Sequence, residues 1–377
     1  MLKTIYLFEL KKLFLTKVNL IALIVSVVML VLLAISSISE DYPTFRETAK
    51  ELDGRTIDEK LFEEMEPALK YENGLALLQV KEGYERYAPI LNMIMPVSGD
   101  EIDFSRFKGM GFYDLRRQRI MQRLEKQGLT EAEKAYWNTL EARVAKPFVY
   151  HYHSGPANLL KSFQALGFFI LLLSAVGLSG VYARETTDRM NQLLLCSRYG
   201  KKELYMIKFA AGITWILTAA LLVILSLLIP YCVIYGTEGA GEMLQLVKPL
   251  SMLPYTIGQM LTVCLIIYLL AAVLYAAVTM LLSAVTQNTP AVTCGLLVYL
   301  IVDLFAAVPE RFRLLEMIWS LRPNAILMNT GFVNYRLLHL GRDFFMNYQA
   351  APVAYVGIAA AAFVAGRWGY RKLQVGK

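Results

Sequence analysis

Six apolar runs divide this chain, and one interval between them is far longer than the rest. Residues 18–38 carry no charge over 21 positions, close to the roughly 20 residues a helix needs to cross the hydrocarbon of a bilayer. Comparable runs follow at 163–183, 209–235, 252–286, 291–308 and 350–365. The run at 252–286 exceeds what one crossing requires, which predicts a tilted or extended helix. The pattern predicts an all-α polytopic membrane protein with six transmembrane helices and a mostly helical domain, 39–160, between the first and second. A cleaved leader competes for 18–38, but its apolar core is long for one and SSISEDYP offers no small-x-small cleavage site. We therefore expect an uncleaved anchor.

Before the first run, residues 1–17 mix Lys3, Lys11, Lys12 and Lys17 with Leu and aromatic residues, which predicts an interfacial helix feeding the first span. Within 39–160, Thr56-x-x-Glu59 and Thr130-x-x-Glu133 have capping-box spacing and each predicts a helix start. Pro67 should end or kink the first of these helices. Residues 112–127 and 131–145 read as a helical pair joined at Gly128-Leu129-Thr130. The aromatic and Met residues here (Phe104, Phe107, Met110, Phe112, Tyr113, Met121, Tyr136, Trp137) fit either a ligand surface or the core of a small domain.

Charge separates the two parts. Residues 39–160 hold 17 Lys+Arg against 21 Asp+Glu, a balance of −4, whereas the rest of the chain holds 21 against 10, a balance of +11. That is a basic membrane part and a mildly acidic soluble part, not a nucleic-acid binder. Basic residues near span ends mark the cytosolic side. Four lie in the N-terminal segment, six between Tyr182 and Lys208, and four after Ala365, and six spans put these three sites on one side. Both termini are then cytosolic in a cell-membrane protein, and 39–160 is extracellular. Five arginines in 309–349 (Arg311, Arg313, Arg322, Arg336 and Arg342) oppose the fourteen without outnumbering them. In that segment Ile318-Trp319 and residues 332–340 suggest short helices dipping into the outer interface. Cys232, Cys264 and Cys294 fall in apolar runs and Cys196 in the basic stretch, so 39–160 has no disulfide framework.

Catalytic signatures are missing. There is no G-x-x-x-x-G-K-[ST] phosphate loop, no H-E-x-x-H, no G-x-S-x-G and no paired C-x-x-C. His151 and His153 would share a side of an extended segment, but no third metal ligand accompanies them, and no metal site is assigned. Asp303 lies deep in the fifth run, where a carboxylate is costly unless paired or facing a cavity. It either lines a translocation route or pairs with Arg311, Arg313 or a backbone group.

The stretch YARETTDRMNQLLLCSRYGKKELYMIK, residues 182–208, lies between the second and third runs. Met190, Leu193 and Leu194, followed by Ser197 or Arg198, share one helical face, while Glu185 and Arg189 stand i, i+4 in the favourable order. Tyr199-Gly200 ends the segment, and Lys201-Lys202-Glu203 opens a helix entering the third span. Such a helix either seats in a partner's groove or lies on the lipid surface.

The order of interfacial helix, span, outer domain, span, Leu-rich basic loop, four further spans and an outer segment before the last resembles the membrane subunit of type-2 ATP-binding-cassette exporters. Glu185, Leu193-Leu194-Leu195, Ser197-Arg198, Gly200-Lys201 and Lys208 carry the motif, and Pro323-Asn324 with Gly341 is similar to the family's outer re-entrant helices. The large 39–160 insertion departs from compact members. The resemblance implies that 184–207 is a coupling loop with Glu185 and Arg189 orienting its helix, and that Met190, Leu193 and Leu194, flanked by Ser197 and Arg198, seat in a separate ATP-binding-cassette subunit. It also implies that ATP and Mg are bound by that subunit, so this chain has no cofactor or enzymatic site of its own. A second permease half, identical or paired, and membrane lipid complete the expected partners, with an amphipathic peptide, drug or lipid as cargo. A membrane sensor, whose outer domain binds a ligand and whose loop docks a signalling protein, is the alternative.

Overall fold

Five helices are long and apolar enough to cross a membrane: Lys17–Ser36, Ser154–Glu185, Glu203–Tyr235, Ile257–Thr286 and Asn347–Arg371. They come from a computed structural model that describes residues 2–36, 42–72, 75–98, 111–187, 203–309, 311–328, 335–340 and 343–371. The chain is mostly helical. The expected fifth span forms a shorter apolar helix of 17 residues, Thr289–Phe305.

In chain order α1 (Leu2–Leu15) and α2 (Lys17–Ser36) lead into the domain between the first two of these long helices. That domain holds α3 (Tyr42–Lys50), α4 (Glu59–Met65), a hairpin of β1 (Leu69–Glu72) and β2 (Leu75–Val80), α5 (Ala88–Ser98), α6 (Phe112–Lys126) and α7 (Glu131–Glu141). Next come α8 (Ser154–Leu178), the one-turn α9 (Ala183–Thr187), α10 (Glu203–Tyr235), α11 (Ile257–Thr286) and α12 (Thr289–Phe305). Short helices α13 (Arg313–Ser320) and α14 (Pro323–Leu327) and a second hairpin, β3 (Leu338–Leu340) with β4 (Asp343–Phe345), precede α15 (Asn347–Arg371).

Helix α8 is the axis of the bundle, packing against α2, α10, α11, α12 and α14. Small residues make this possible, because association in lipid depends on close van der Waals fit more than on water exclusion. A Cβ added at Gly177 would lie 2.2 Å from the Trp215 ring, so the α8–α10 crossing needs glycine there. A Cβ at Gly167 would lie 2.2 Å from Asn324 Oδ1, so glycine likewise admits α14 against α8.

Local signals set most boundaries, and several differ from the sequence expectation. The 130–133 capping box forms, with Thr130 and Glu133 exchanging bonds at the start of α7, although that helix ends at Glu141 rather than near 145. At 56–59 no box forms. Asp58 caps α4 by accepting from the Leu61 amide, and Thr56 is drawn into a bridge with Val149. The amide of Ile57 donates to Phe148 O at 2.8 Å, so pairing with a distant strand segment displaced the expected cap by two residues. Pro67 falls in a 3-10 turn just after α4 stops.

The run at 252–286 does form a helix longer than one crossing needs, 30 residues, but it is shorter than the run at its start. Its helix starts at Ile257 behind a Thr256–Gln259 capping box, and the preceding residues form a buried loop whose backbone is satisfied by Gln245 and Arg116. In the closing segment α13 matches the expected short helix at Ile318-Trp319, but Leu338–Leu340 is a strand paired with Asp343–Phe345, not helix. Alternation from Leu338 to Leu340 has period two, and the hairpin satisfies its backbone locally.

The domain between α2 and α8 is fastened to loops between the later helices at several points. Arg116, buried, donates to the carbonyls of Pro249 (2.6 Å) and Ser251 (2.8 Å) and pairs with Glu141. Trp137 Nε1 donates to Tyr335 O at 2.6 Å, and the Tyr335 hydroxyl donates to Leu250 O. Of the aromatic set, Phe112 and Trp137 are core residues, Tyr113 and Tyr136 are half-buried, and Met121 is exposed. Phe104, Phe107 and Met110 lie outside the described residues.

Candidate functional site

The described ends of the basic stretch are α9 and the start of α10, and these two ends are locked together. Helix α8 ends at Leu178, a turn intervenes, and α9 brings Glu185 inward. Glu185 is buried and accepts from Lys208 Nζ, itself fully buried on α10. Lys208 also donates to Val181 O at 3.1 Å, and its ammonium lies 5.7 Å from the Tyr182 ring centroid. Lys12 of α1 stands 4.0 Å from Glu185 Oε1, and buried Glu9 lies one turn back on the same helix. One carboxylate therefore ties the exit helix, the return helix and the N-terminal helix.

Neighbouring bonds hold this junction. The Tyr182 hydroxyl donates to Tyr205 O at 2.9 Å, and the amides of Tyr182 and Ala183 donate to Ser283 Oγ on α11 at 3.2 and 3.3 Å. Asn19 Nδ2 donates to Gly177 O at 3.3 Å, anchoring α2 to the end of α8. Tyr182, Tyr205 and Tyr370 form a ring cluster with centroids 5.1–5.7 Å apart, which adds the end of α15. A buried ion pair so placed has low dielectric around it, so its geometry is stiff, while loss of one partner strands a charge.

Of the expected coupling residues, Glu185 lies in this junction. Arg189, Met190, Leu193, Leu194, Ser197 and Arg198, with Cys196, lie outside the described residues. The carboxylate of Glu185 turns inward to Lys208, 23 positions away; its expected i, i+4 partner Arg189 lies outside the described residues. Lys12, Glu9 and Tyr182 were not picked out by sequence reasoning as part of the site. Lys208, the one charge on α10 after its first residue Glu203, was the available signal, because a buried ammonium requires an anion.

A second buried charge cluster lies toward the opposite end of α12. Asp303, 3% exposed, accepts from Arg322 Nη1 and from Asn324 Nδ2, and Arg322 also donates to Asp303 O at 2.8 Å. The Arg322 guanidinium stacks 3.7 Å over Trp319. Neither Arg311 nor Arg313 takes Asp303. Arg313 instead donates to Glu133 Oε1 at 2.6 Å. Asp303 thus closes α13 and α14 onto the end of α12, which explains a carboxylate there by pairing.

Glu133 is a third hub, outside the spans and fully buried. It accepts from Thr130 N (2.8 Å), Thr130 Oγ1 (2.9 Å), Arg313 (2.6 Å) and the Leu337 amide (3.3 Å), with His339 Nε2 3.4 Å away. Burial alone would raise its pKa, but these donors outweigh burial and hold it down at about 2. His153 Nδ1 lies 2.6 Å from His151 O, and His151 Nδ1 lies 3.7 Å from Asp53. Among the described residues no three His, Cys, Asp or Glu side chains come together as a metal would require.

The fold and these sites define a class: a mostly helical chain with five candidate membrane-spanning helices and charged side chains buried at both ends of its bundle. A scan of protein-family models, a search of curated proteins and a search of solved structures each found nothing that matches it.

Proposed function

We propose that this chain is the permease subunit of an ATP-binding-cassette exporter in the cell membrane, driven by a separate ATP-binding subunit and working beside a second permease half. The junction of Glu185 with Lys208 and Lys12 carries the reading. A load applied to residues 188–202 reaches α1, α9 and α10 together, because one buried carboxylate joins them. A cytosolic loop that merely rested on lipid would gain nothing from so stiff a mount. In this reading both termini are cytosolic, the 39–160 domain is extracellular, and Met190, Leu193 and Leu194 form the face that enters the ATPase groove. Catalysis belongs to the partner, and the cargo is amphipathic: a peptide, a drug or a lipid.

The fastening of the soluble domain to the 249–251 loop and to Tyr335 also supports a domain that works with the spans. A sensor module that acts by swinging free would have to break those bonds. The deciding experiment is gentle purification from the native membrane with identification of what co-purifies. A stoichiometric subunit bearing a phosphate-binding loop is expected. Leu194→Glu is expected to leave the protein in the membrane while abolishing stimulated ATP hydrolysis and transport. Normal transport by Leu194→Glu would remove the coupling assignment, and a signalling protein in place of the ATPase would favour the sensor.

A further inference from the structure

Packing gives α1 two faces. Inward, Glu9 is buried, the Tyr6 hydroxyl donates to Thr214 Oγ1 at 2.8 Å, and Leu10, Leu13 and Phe14 lie against the core. Outward, Lys3, Leu7, Lys11 and Leu15 follow one another at intervals of four, with Phe8 beside them, and all five are exposed. Residues four apart share a helical face, so lysine and leucine alternate along a single ridge.

The helix lies across one end of the bundle instead of running through it. Near its start Tyr6 meets Thr214, the neighbour of Trp215, and Trp215 is the ring that Gly177 admits. Near its finish the Leu13 carbonyl accepts from Asn19 Nδ2 at 3.0 Å, and the same amide donates to Gly177 O. Both ends of α1 therefore stand near the depth of Gly177, where the apolar run of α2 begins at Val18. From there the exposed apolar surface continues onto Val18, Ile21, Val25 and Val28 of α2. A lysine at such a boundary lays its stem on acyl chains and raises its ammonium to the headgroups. A protein groove covering the same leucines would have to strip water from Lys3 and Lys11, whereas an anionic surface attracts them.

We propose that the outward face of α1 docks on the anionic surface of the bilayer, with Lys3, Lys11 and Lys17 on lipid headgroups and Leu7, Phe8 and Leu15 among the first carbons of the acyl chains. The assignment stands apart from the transport reading, since it needs neither ATP nor a partner subunit. It also brings the bilayer surface to the helix whose Lys12 reaches Glu185. The test places the photo-crosslinker p-benzoyl-phenylalanine at Phe8 of the full chain, reconstituted in vesicles of equal phosphatidylglycerol and phosphatidylcholine, and reads adduct masses after irradiation. The same probe at Val25 on α2 is the lipid-facing reference. Lipid adducts are expected at both positions, and at Phe8 phosphatidylglycerol should exceed phosphatidylcholine roughly fivefold, as one lysine at an anionic surface allows. Lys3→Gln/Lys11→Gln/Lys17→Gln should bring that ratio close to one, and so should salt at about 1 M, where the screening length is roughly 3 Å. All three lysines are exposed, so folding is retained, and a monodisperse elution profile verifies it. Lipid adducts at Val25 without any at Phe8 overturn the placement of α1. A ratio near one in the parent, or an unchanged ratio in the triple variant, overturns the role of the lysines, and a chain-to-chain adduct at Phe8 overturns the lipid in favour of a second copy.

Discussion

Replacing Lys208 by Met keeps the length of the side chain and removes its charge. Glu185 then remains buried at 5% exposure, with Lys12 at 4.0 Å as its nearest cation. Breaking a buried pair by removing one member costs roughly 3–5 kcal/mol, most of it the uncompensated charge left behind. Lys12 is partly exposed and recovers some of that, so about 3 kcal/mol is expected. At roughly 2–4 °C per kcal/mol for larger domains, the melting temperature in detergent should fall by about 6–12 °C. The double substitution Glu185→Gln/Lys208→Met removes both charges and should recover at least half of the loss, because a neutral buried pair needs no counter-ion. The assay is a thermal melt followed by fluorescence size-exclusion, with both variants beside the parent. If Lys208→Met melts with the parent, Lys208 is not closed off with Glu185, and the argument that one carboxylate binds three helices fails.

Glu133→Gln tests the fastening between the domain that follows α2 and the 313–339 segment. Glu133 is held at about 2, below its ordinary value, so its contribution is complete above about pH 4.5 and is lost as pH falls toward 2. The substitution should cost about 2 kcal/mol at pH 7 after allowance for screening, and parent and variant melts should converge as pH drops from 5 to 3; a pH-independent gap would count against the assignment. Gly177→Ala should destabilise by roughly 1–3 kcal/mol, since its methyl meets the Trp215 ring, and Trp215→Leu in the same chain should relieve it. Equal loss in the single and double variants would place the cost in the helix backbone rather than at the crossing.

Much of the fold was legible because a bilayer imposes one-dimensional demands. Apolar length marked α2, α8, α10, α11 and α15, since uninterrupted apolar sequence has no other solvent. Thr130 with Glu133 marked the start of α7, since a cap is a local contact three residues long. Where local patterns met distant partners, the partners won. Val149 drew Thr56 away from capping, the 249–256 loop was withdrawn from its apolar run to lie under Arg116, and Leu338–Leu340 paired as a strand.

The candidate sites divide along the same line. The sequence by itself determined that a carboxylate at 185, another at 303 and a lysine at 208 sat beside or within apolar runs, where a lone charge is too costly to leave unpaired. It could not determine the pairing. Lys208 lies 23 positions from Glu185, Arg322 lies 19 from Asp303 and Arg313 lies 180 from Glu133, so each choice depended on which helix ends the packing brought together. Glycine at 167 and 177 let those helices approach, and the approach chose the partners.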